Sequence, residues 1–237
     1  MQTTNSAGSR LGTKQRFALD TAKRTHGHAR STQWSVYSPR TERDWYLKGL
    51  LEWADFLCVE ATPGIIAVDY APPFRFIDID GRDRKIELTS IVTLANGTIE
   101  WRHVIATEKP LRNNSLSLDA YVARMNDAAK QNGAIYRLID QNQVYAQNQL
   151  IANWTRIIAW LSSVRGRPLF EMLLRIELLV KSKNTVSLDD ILSMDDDRDI
   201  RILLVAATFK LLQNGRLTSD LTNSVLSKQT RFARTEI

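Results

Sequence analysis

The sequence has a single cysteine, Cys58, among 237 residues. That excludes an intrachain disulfide framework and a cysteine-rich zinc site, and it fits a reducing compartment. Histidine is almost as scarce. Of the three present, His26 and His28 lie in the N-terminal segment and His103 in a predicted strand, so the clustered imidazoles of a zinc site are not expected. No apolar run approaches the roughly 18 residues that a membrane span requires. The longest candidate, Leu169 to Val180, is broken by Glu171, Arg175 and Glu177. The N-terminus has no apolar stretch of the secretory kind. These absences point to a cytoplasmic chain with no membrane partner. A Walker-type Gly-Lys-Ser/Thr loop, a GxSxG elbow and a dinucleotide GxGxxG are all missing, which argues against an NTPase, a serine hydrolase and a nicotinamide enzyme.

What is present is 43% hydrophobic residues, enough to bury a core, and a net charge of +6 that is unevenly spread. Residues 1–33 carry Arg10, Lys14, Arg16, Lys23, Arg24 and Arg30 against Asp20 alone, which is +5 of the total. The same segment is rich in Thr, Ser and Gly and poor in large apolar groups, so it is expected to stay largely disordered. A flexible basic arm attracts phosphates by counterion release, which makes these six residues the candidate nucleic-acid contacts.

Order is expected to begin near Trp34. Ser38-Pro39 followed by Thr41 reads as a helix entry. Trp45, Leu47, Leu50, Leu51 and Trp53 then suggest an opening helix with Glu42 in its first turn. After the Pro63-Gly64 break, Ile65 to Tyr70 reads as a strand, and Phe74 to Ile79 as another that ends at an Asp80-Gly81 turn. Ile86 to Leu94 and Thr98 to Thr107 form two strands around the tight turn Asn96-Gly97. Leu118 to Gln131 is an amphipathic helix, Ala134 to Ile139 a short strand, and one long helix follows Asp140. Gly166-Arg167-Pro168 reads as a linker. Beyond it, helices are expected over Leu169–Lys181, Leu188–Ser193 and Arg198–Gln213, with Ser187 and Asp190 capping the second. Short strands at Arg216–Thr218 and Gln229–Phe232 complete a pattern like a winged helix. The expected organisation is therefore a basic tail over 1–33, an α/β domain over 34–165 and a mainly helical domain over 166–237.

The order helix, three strands, helix, strand is what a PD-(D/E)XK nuclease core requires. In that chemistry acidic groups hold one or two Mg²⁺ ions, and a lysine two residues beyond the last acid stabilises charge on the scissile phosphate. Thr41-Glu42-Arg43-Asp44, Val59-Glu60-Ala61-Thr62-Pro63, Ile91 to Gly97, Lys109-Pro110 and Gly215 to Leu221 carry a more specific likeness. Over roughly residues 34–237 the chain resembles the TnsA-type endonuclease subunit of heteromeric transposases. The resemblance implies a restriction-endonuclease-like core, a mixed sheet flanked by helices, followed by a winged-helix-like domain. It also implies DNA as substrate, an integrase-type transposase as partner, a possible ATPase regulator and Mg²⁺ as cofactor in an active copy.

Carried over by position, Glu42 matches the helix carboxylate and Lys109 the motif lysine. The two remaining acid positions fall on Thr89 and Thr107, whose neutral hydroxyls are poor ligands for a hard dication. Glu87, two residues before Thr89, is the candidate replacement and with Glu42 the candidate metal pair; Glu108, Asp78 and Asp80 are further acids near the motif. Loss of cleavage with the fold kept is thus an alternative expectation, so a non-catalytic DNA-binding or assembly protein, and a docking adaptor with no DNA role, stand beside the nuclease-subunit reading.

Overall fold

Alternation with period two, rather than helical spacing, governs the first segment of the computed structural model, which describes residues 32–79, 82–105 and 117–235. Strands β1 (Gln33–Ser38) and β2 (Arg43–Lys48) form an antiparallel hairpin where an opening helix was expected. Trp45 and Leu47 are buried while Asp44, Tyr46 and Lys48 between them are only partly so. Alternating aromatic and aliphatic residues suit a pleated, half-buried surface. The Ser38 hydroxyl accepts from the Thr41 N–H, and Thr41 Oγ1 accepts from Trp45 Nε1 at 2.8 Å, so the expected helix cap closes a turn instead. Helix α1 (Gly49–Ala61) starts only after the hairpin, where Glu52 accepts a hydrogen bond from the Lys48 N–H.

The chain divides into two compact units. The described residues up to Phe56 join Ile65–Ala146 in the first; Leu57–Gly64 join those from Gln147 onward in the second. The division thus falls near residue 146 rather than at Gly166-Arg167-Pro168, which lies within the second unit.

The first unit is built on β3 (Ile65–Asp69), β6 (Ser90–Leu94), β7 (Ile99–Ile105) and β8 (Ala134–Asp140), hydrogen-bonded in that order. β6 runs antiparallel to β3 and β7, and β8 runs parallel to β7. The expected hairpin at Asn96-Gly97 is present, with Gly97 at φ 83° and the Leu94 N–H donating to the Thr98 carbonyl. Helix α2 (Leu118–Gln131) has the bounds expected of it, and the Ser117 hydroxyl caps it by accepting from the Ala120 N–H. Its buried Tyr121, Met125 and Ala129 cover one sheet face together with Trp101 and Tyr136. The expected single strand Ile86–Leu94 is in fact two. Ile86 ends β5 (Arg82–Ile86), which pairs only with β4 (Arg75–Ile79), and residues 87–89 lead into β6. The single helix expected after Asp140 is likewise two, α3 (Gln141–Tyr145) and α4 (Asn148–Ser163). The first unit is therefore a mixed α/β structure with a mixed sheet flanked by helices.

The second unit packs α4, α5 (Phe170–Lys183), α6 (Leu188–Leu192) and α7 (Arg198–Gln213) with the short strands β9 (Thr185–Ser187), β10 (Leu217–Ser219) and β11 (Arg231–Arg234). The sheet order is β10-β11-β9, all antiparallel. Helix α7 is buried on every side from Leu203 to Phe209, as a helix apolar all round must be.

Asn153 of α4 fastens the segment before β11. It is 1% exposed, donates to the carbonyls of Leu221 and Ser224 at 2.7 and 2.8 Å, and accepts from the Leu226 N–H at 2.8 Å. Truncation leaves those backbone groups desolvated and unbonded. Asn153→Ala is therefore expected to destabilise the chain by about 2–3 kcal/mol, from the cost of orphaned buried polar groups. Chemical denaturation of the variant reads this directly, and a loss below half that range counts against it.

Ser187 and Asp190 form the expected capping box on α6. Hydrogen bonds from the Ser187 hydroxyl and N–H, and then from Lys183, hold the Asp190 carboxyl well below its ordinary value of 3.8. A depressed folded-state pKa gives stability that is present above 3.8 and is lost as pH falls below it. Asp190→Asn is expected to flatten the acid limb of the melting temperature against pH. An acid limb identical to that of wild type rejects the assignment.

Candidate functional site

Of the residues expected to form the nuclease centre, Glu42, Glu87 and Thr89 fall within the described residues. Glu42 is not on a helix: it sits exposed in the β1–β2 turn at φ 53°, because the hairpin replaces the helix that would have carried it. Glu87 is exposed and Thr89 buried, and neither belongs to a strand, so they share no strand face. The Thr89 hydroxyl is occupied by the Val104 N–H at 3.0 Å, and the Thr89 N–H donates to the Arg102 carbonyl. That residue therefore closes the β6–β7 ladder. Asp78 is exposed on β4. Thr107, Glu108, Lys109, Asp80 and the basic residues Arg10, Lys14, Arg16, Lys23, Arg24 and Arg30 lie outside the described residues.

A different set of charges converges on the sheet face opposite α2. Trp101 points into the α2 core, so Glu100 and Arg102 on either side of it point the other way. There Arg102 meets Asp55 of α1 at 2.6 Å and Glu100 at 3.5 Å. Glu100 also receives Arg137 of β8 at 3.2 Å. The side chains of Asp55, Glu100 and Arg102 are 3%, 10% and 15% exposed, whereas Arg137 is 58% exposed and closes the cluster from solvent. Burial works to lower the Arg102 pKa, but the charge and hydrogen bond of Asp55, followed by Glu100 and Tyr70, outweigh it and raise it above its ordinary value. Arg102 is therefore a fixed cation.

Ser90, the first residue of β6, lies directly across from Arg102 in the β6–β7 register. It is fully buried, and its hydroxyl has no hydrogen-bond partner; neither has Arg102 Nε.

These residues were legible in part. Glu100 and Arg102 stand two apart on the strand after Asn96-Gly97, the spacing that the nuclease chemistry asks of its acid and its lysine, with arginine in the lysine's place. A search for lysine passes over them to Lys109. Asp55 carried the other signal: a lone acid inside the apolar run Trp53-Ala54-Asp55-Phe56-Leu57, where a charge is rarely buried without a partner.

The residues of this face do not fit the Mg²⁺ that the nuclease resemblance implies. A hard dication needs carboxylate oxygens available to it, whereas Asp55 Oδ1 and Glu100 Oε2 are engaged by Arg102 and Glu100 Oε1 by Arg137. Among the described residues no group of three or more His, Cys, Asp or Glu is placed to hold a metal.

The opposite sheet face carries two further features. His103 Nδ1 and the Tyr136 hydroxyl are 3.0 Å apart. Burial, then the neighbouring Tyr121, pushes the Tyr136 phenol far above its ordinary range. A cavity of about 540 Å³ lies between β4 and α2, where the Arg75 guanidinium sits 5.2 Å from the Trp101 ring centre. Trp101, 3% exposed, and Trp34, stacked on Trp53 at 4.7 Å, act in packing. Among the described residues no helix is long and apolar enough to cross a membrane.

No protein-family model matches the chain, and no curated protein matches it in sequence.

Proposed function

We propose that this chain is a DNA-handling subunit of a transposition complex, akin to the TnsA-type endonucleases, in which the face of Asp55, Glu100 and Arg102 holds the place of the cleavage centre. The observation that carries the reading is the Glu100-x-Arg102 pair on β7 facing a carboxylate on α1. A helix carboxylate and two strand residues spaced by one are the parts a PD-(D/E)XK site requires, and the strand order β3-β6-β7-β8 is the arrangement that would gather them. With arginine in the lysine position and both carboxylates ion-paired, the subunit binds DNA and partners without cutting. Fold analogy supplies the prior for this reading, and the site's own chemistry supplies the restriction on it.

The order helix, strand, two helices, two strands over α5 to β11, with β11 in the middle of its sheet, supports a winged-helix-like second unit. The burial of α7 argues against its lying in a DNA groove and favours docking to a partner, by resemblance an integrase-type transposase or a regulatory ATPase. Attraction to DNA falls to the basic segment 1–33. The test is a gel shift with duplex DNA paired with a nicking assay in Mg²⁺ or Mn²⁺. Retarded DNA that stays intact is expected. Absence of any shift at low salt rejects the DNA reading, and nicking that Glu100→Gln abolishes rejects the non-cutting restriction.

A specific observation favours one rival. Phe170, Leu174 and Leu178 recur every four residues along α5 and are 73%, 45% and 67% exposed, as a protein-docking adaptor would present them. The same gel shift separates the two readings.

A further inference from the structure

We infer that the cavity between β4 and α2 binds a single nucleotide whose base carries an exocyclic amino group, adenine or cytosine, with Arg75 on its phosphate and Asp127 and Gln131 on its base edge. The site lies on the sheet face opposite the charged cluster, and the inference does not depend on the transposition reading.

The cavity encloses about 540 Å³, within the roughly 300–1,000 Å³ of sites that house ligands larger than an ion. One wall is β4, where Arg75 and the buried Ile77 stand two residues apart and so share a face. The facing wall is α2, where Arg124, Asp127, Ala128 and Gln131 recur at helical spacing and form one stripe. The Trp101 ring, its centre 5.2 Å away, places the Arg75 guanidinium. Among the described residues the Arg75 side chain makes no ion pair and no hydrogen bond, and neither do those of Asp127 and Gln131. A cation and a carboxylate thus line one cavity from opposite walls without meeting. Arg124 and Asp78 also line it, so cations and acids balance and a bare oxyanion is not favoured. What fits is a ligand with an anion at one end and N–H donors at the other. A phosphate suits the arginine, whose fork matches its oxygens. A carboxylate accepts from the amine of cytosine, and a glutamine amide pairs with the amine and ring nitrogen of adenine. The amide of Gln131 both donates and accepts, which matches a base edge rather than the ammonium of an amino acid.

Titration calorimetry of the full chain with adenosine and cytidine monophosphate (AMP and CMP) checks the inference. At least one is expected to bind, about tenfold more tightly than its counterpart with a carbonyl in place of the amine, IMP for AMP and UMP for CMP. Arg75→Gln should weaken that binding on the order of tenfold or more, through loss of charge-assisted hydrogen bonds to the phosphate. Asp127→Ala changes an exposed helix position that the fold does not use, and it should erase the preference for the amine. Single strands of deoxyadenylate and of thymidylate distinguish a free nucleotide from an unpaired base within a strand. A preference for deoxyadenylate that Asp127→Ala removes, without binding of AMP or CMP, assigns the site to a strand. The inference is overturned if neither monophosphate binds and the two strands bind alike. Equal affinities for the amine and carbonyl members of both pairs overturn it too, as does binding that neither Arg75→Gln nor Asp127→Ala changes. The gel shift with duplex DNA reads the functional proposal separately, so the two can fail independently.

Discussion

Arg102→Ala is expected to lower the free energy of unfolding by about 3–5 kcal/mol, the cost of breaking a buried ion pair from one side. The size follows from where the partners sit. Asp55 is 3% exposed and Glu100 10%, so neither carboxylate can recover its hydration when the guanidinium is gone. The Arg102 side chain, at 15% exposure, is screened little by solvent. A loss of that size corresponds to a fall in melting temperature of roughly 10 °C or more. Arg137 provides the internal contrast. It binds the same Glu100 but is 58% exposed, so Arg137→Ala should cost no more than about 1 kcal/mol, as for a solvent-screened pair. Replacing Asp55, Glu100 and Arg102 together by neutral residues of similar volume should restore most of the loss, because no charge is then stranded. Equal effects from Arg102→Ala and Arg137→Ala in urea denaturation would show that burial is not what gives the cluster its weight.

Duplex DNA affinity is expected to fall on the order of a thousandfold between about 50 and 200 mM salt, as roughly six phosphate contacts dictate. Six basic residues stand in residues 1–33 against one acid, while the rest of the chain is almost neutral. The salt dependence should therefore reside in that segment. Changing Arg10, Lys14, Arg16, Lys23, Arg24 and Arg30 to glutamine should make the slope of log affinity against log salt shallower by about 5. Binding measured by fluorescence anisotropy across a salt series checks both statements. A steep slope that survives the six changes would move the DNA contacts onto the folded units, and Arg137 at the mouth of the charged cluster would be the first residue to replace.

The two predictions concern separate parts of the chain, the buried cluster on β7 and the basic residues of 1–33. Inside, charges are fixed on one another and serve the fold. In residues 1–33, positive charge is concentrated in a segment whose composition suits transient contact with phosphates. On the proposed function, a subunit so divided would bind DNA without a reactive centre in contact with it, and cutting would come from a partner.

Local chemistry was legible in the amino-acid sequence. Asn96-Gly97 specifies its hairpin because glycine reaches φ 83° without strain. The bounds of α2, the Ser187–Asp190 capping box and the span of α7 from Arg198 to Gln213 were equally readable, since each depends on groups near one another along the chain. The segment from Gln33 to Lys48 was not. Trp45 and Leu47 satisfy the spacing of a strand, and with Leu50, Leu51 and Trp53 also that of a helix, and only pairing with β1 decides between them. The site was hidden for the same reason. Asp55 and Arg102 are 47 residues apart, and Ser90 meets Arg102 only through strand register. By itself the sequence determined the composition of the charges, the turns and the caps. Which charges meet was decided by the sheet, because a carboxylate and a guanidinium find each other across folded strands and not along the chain.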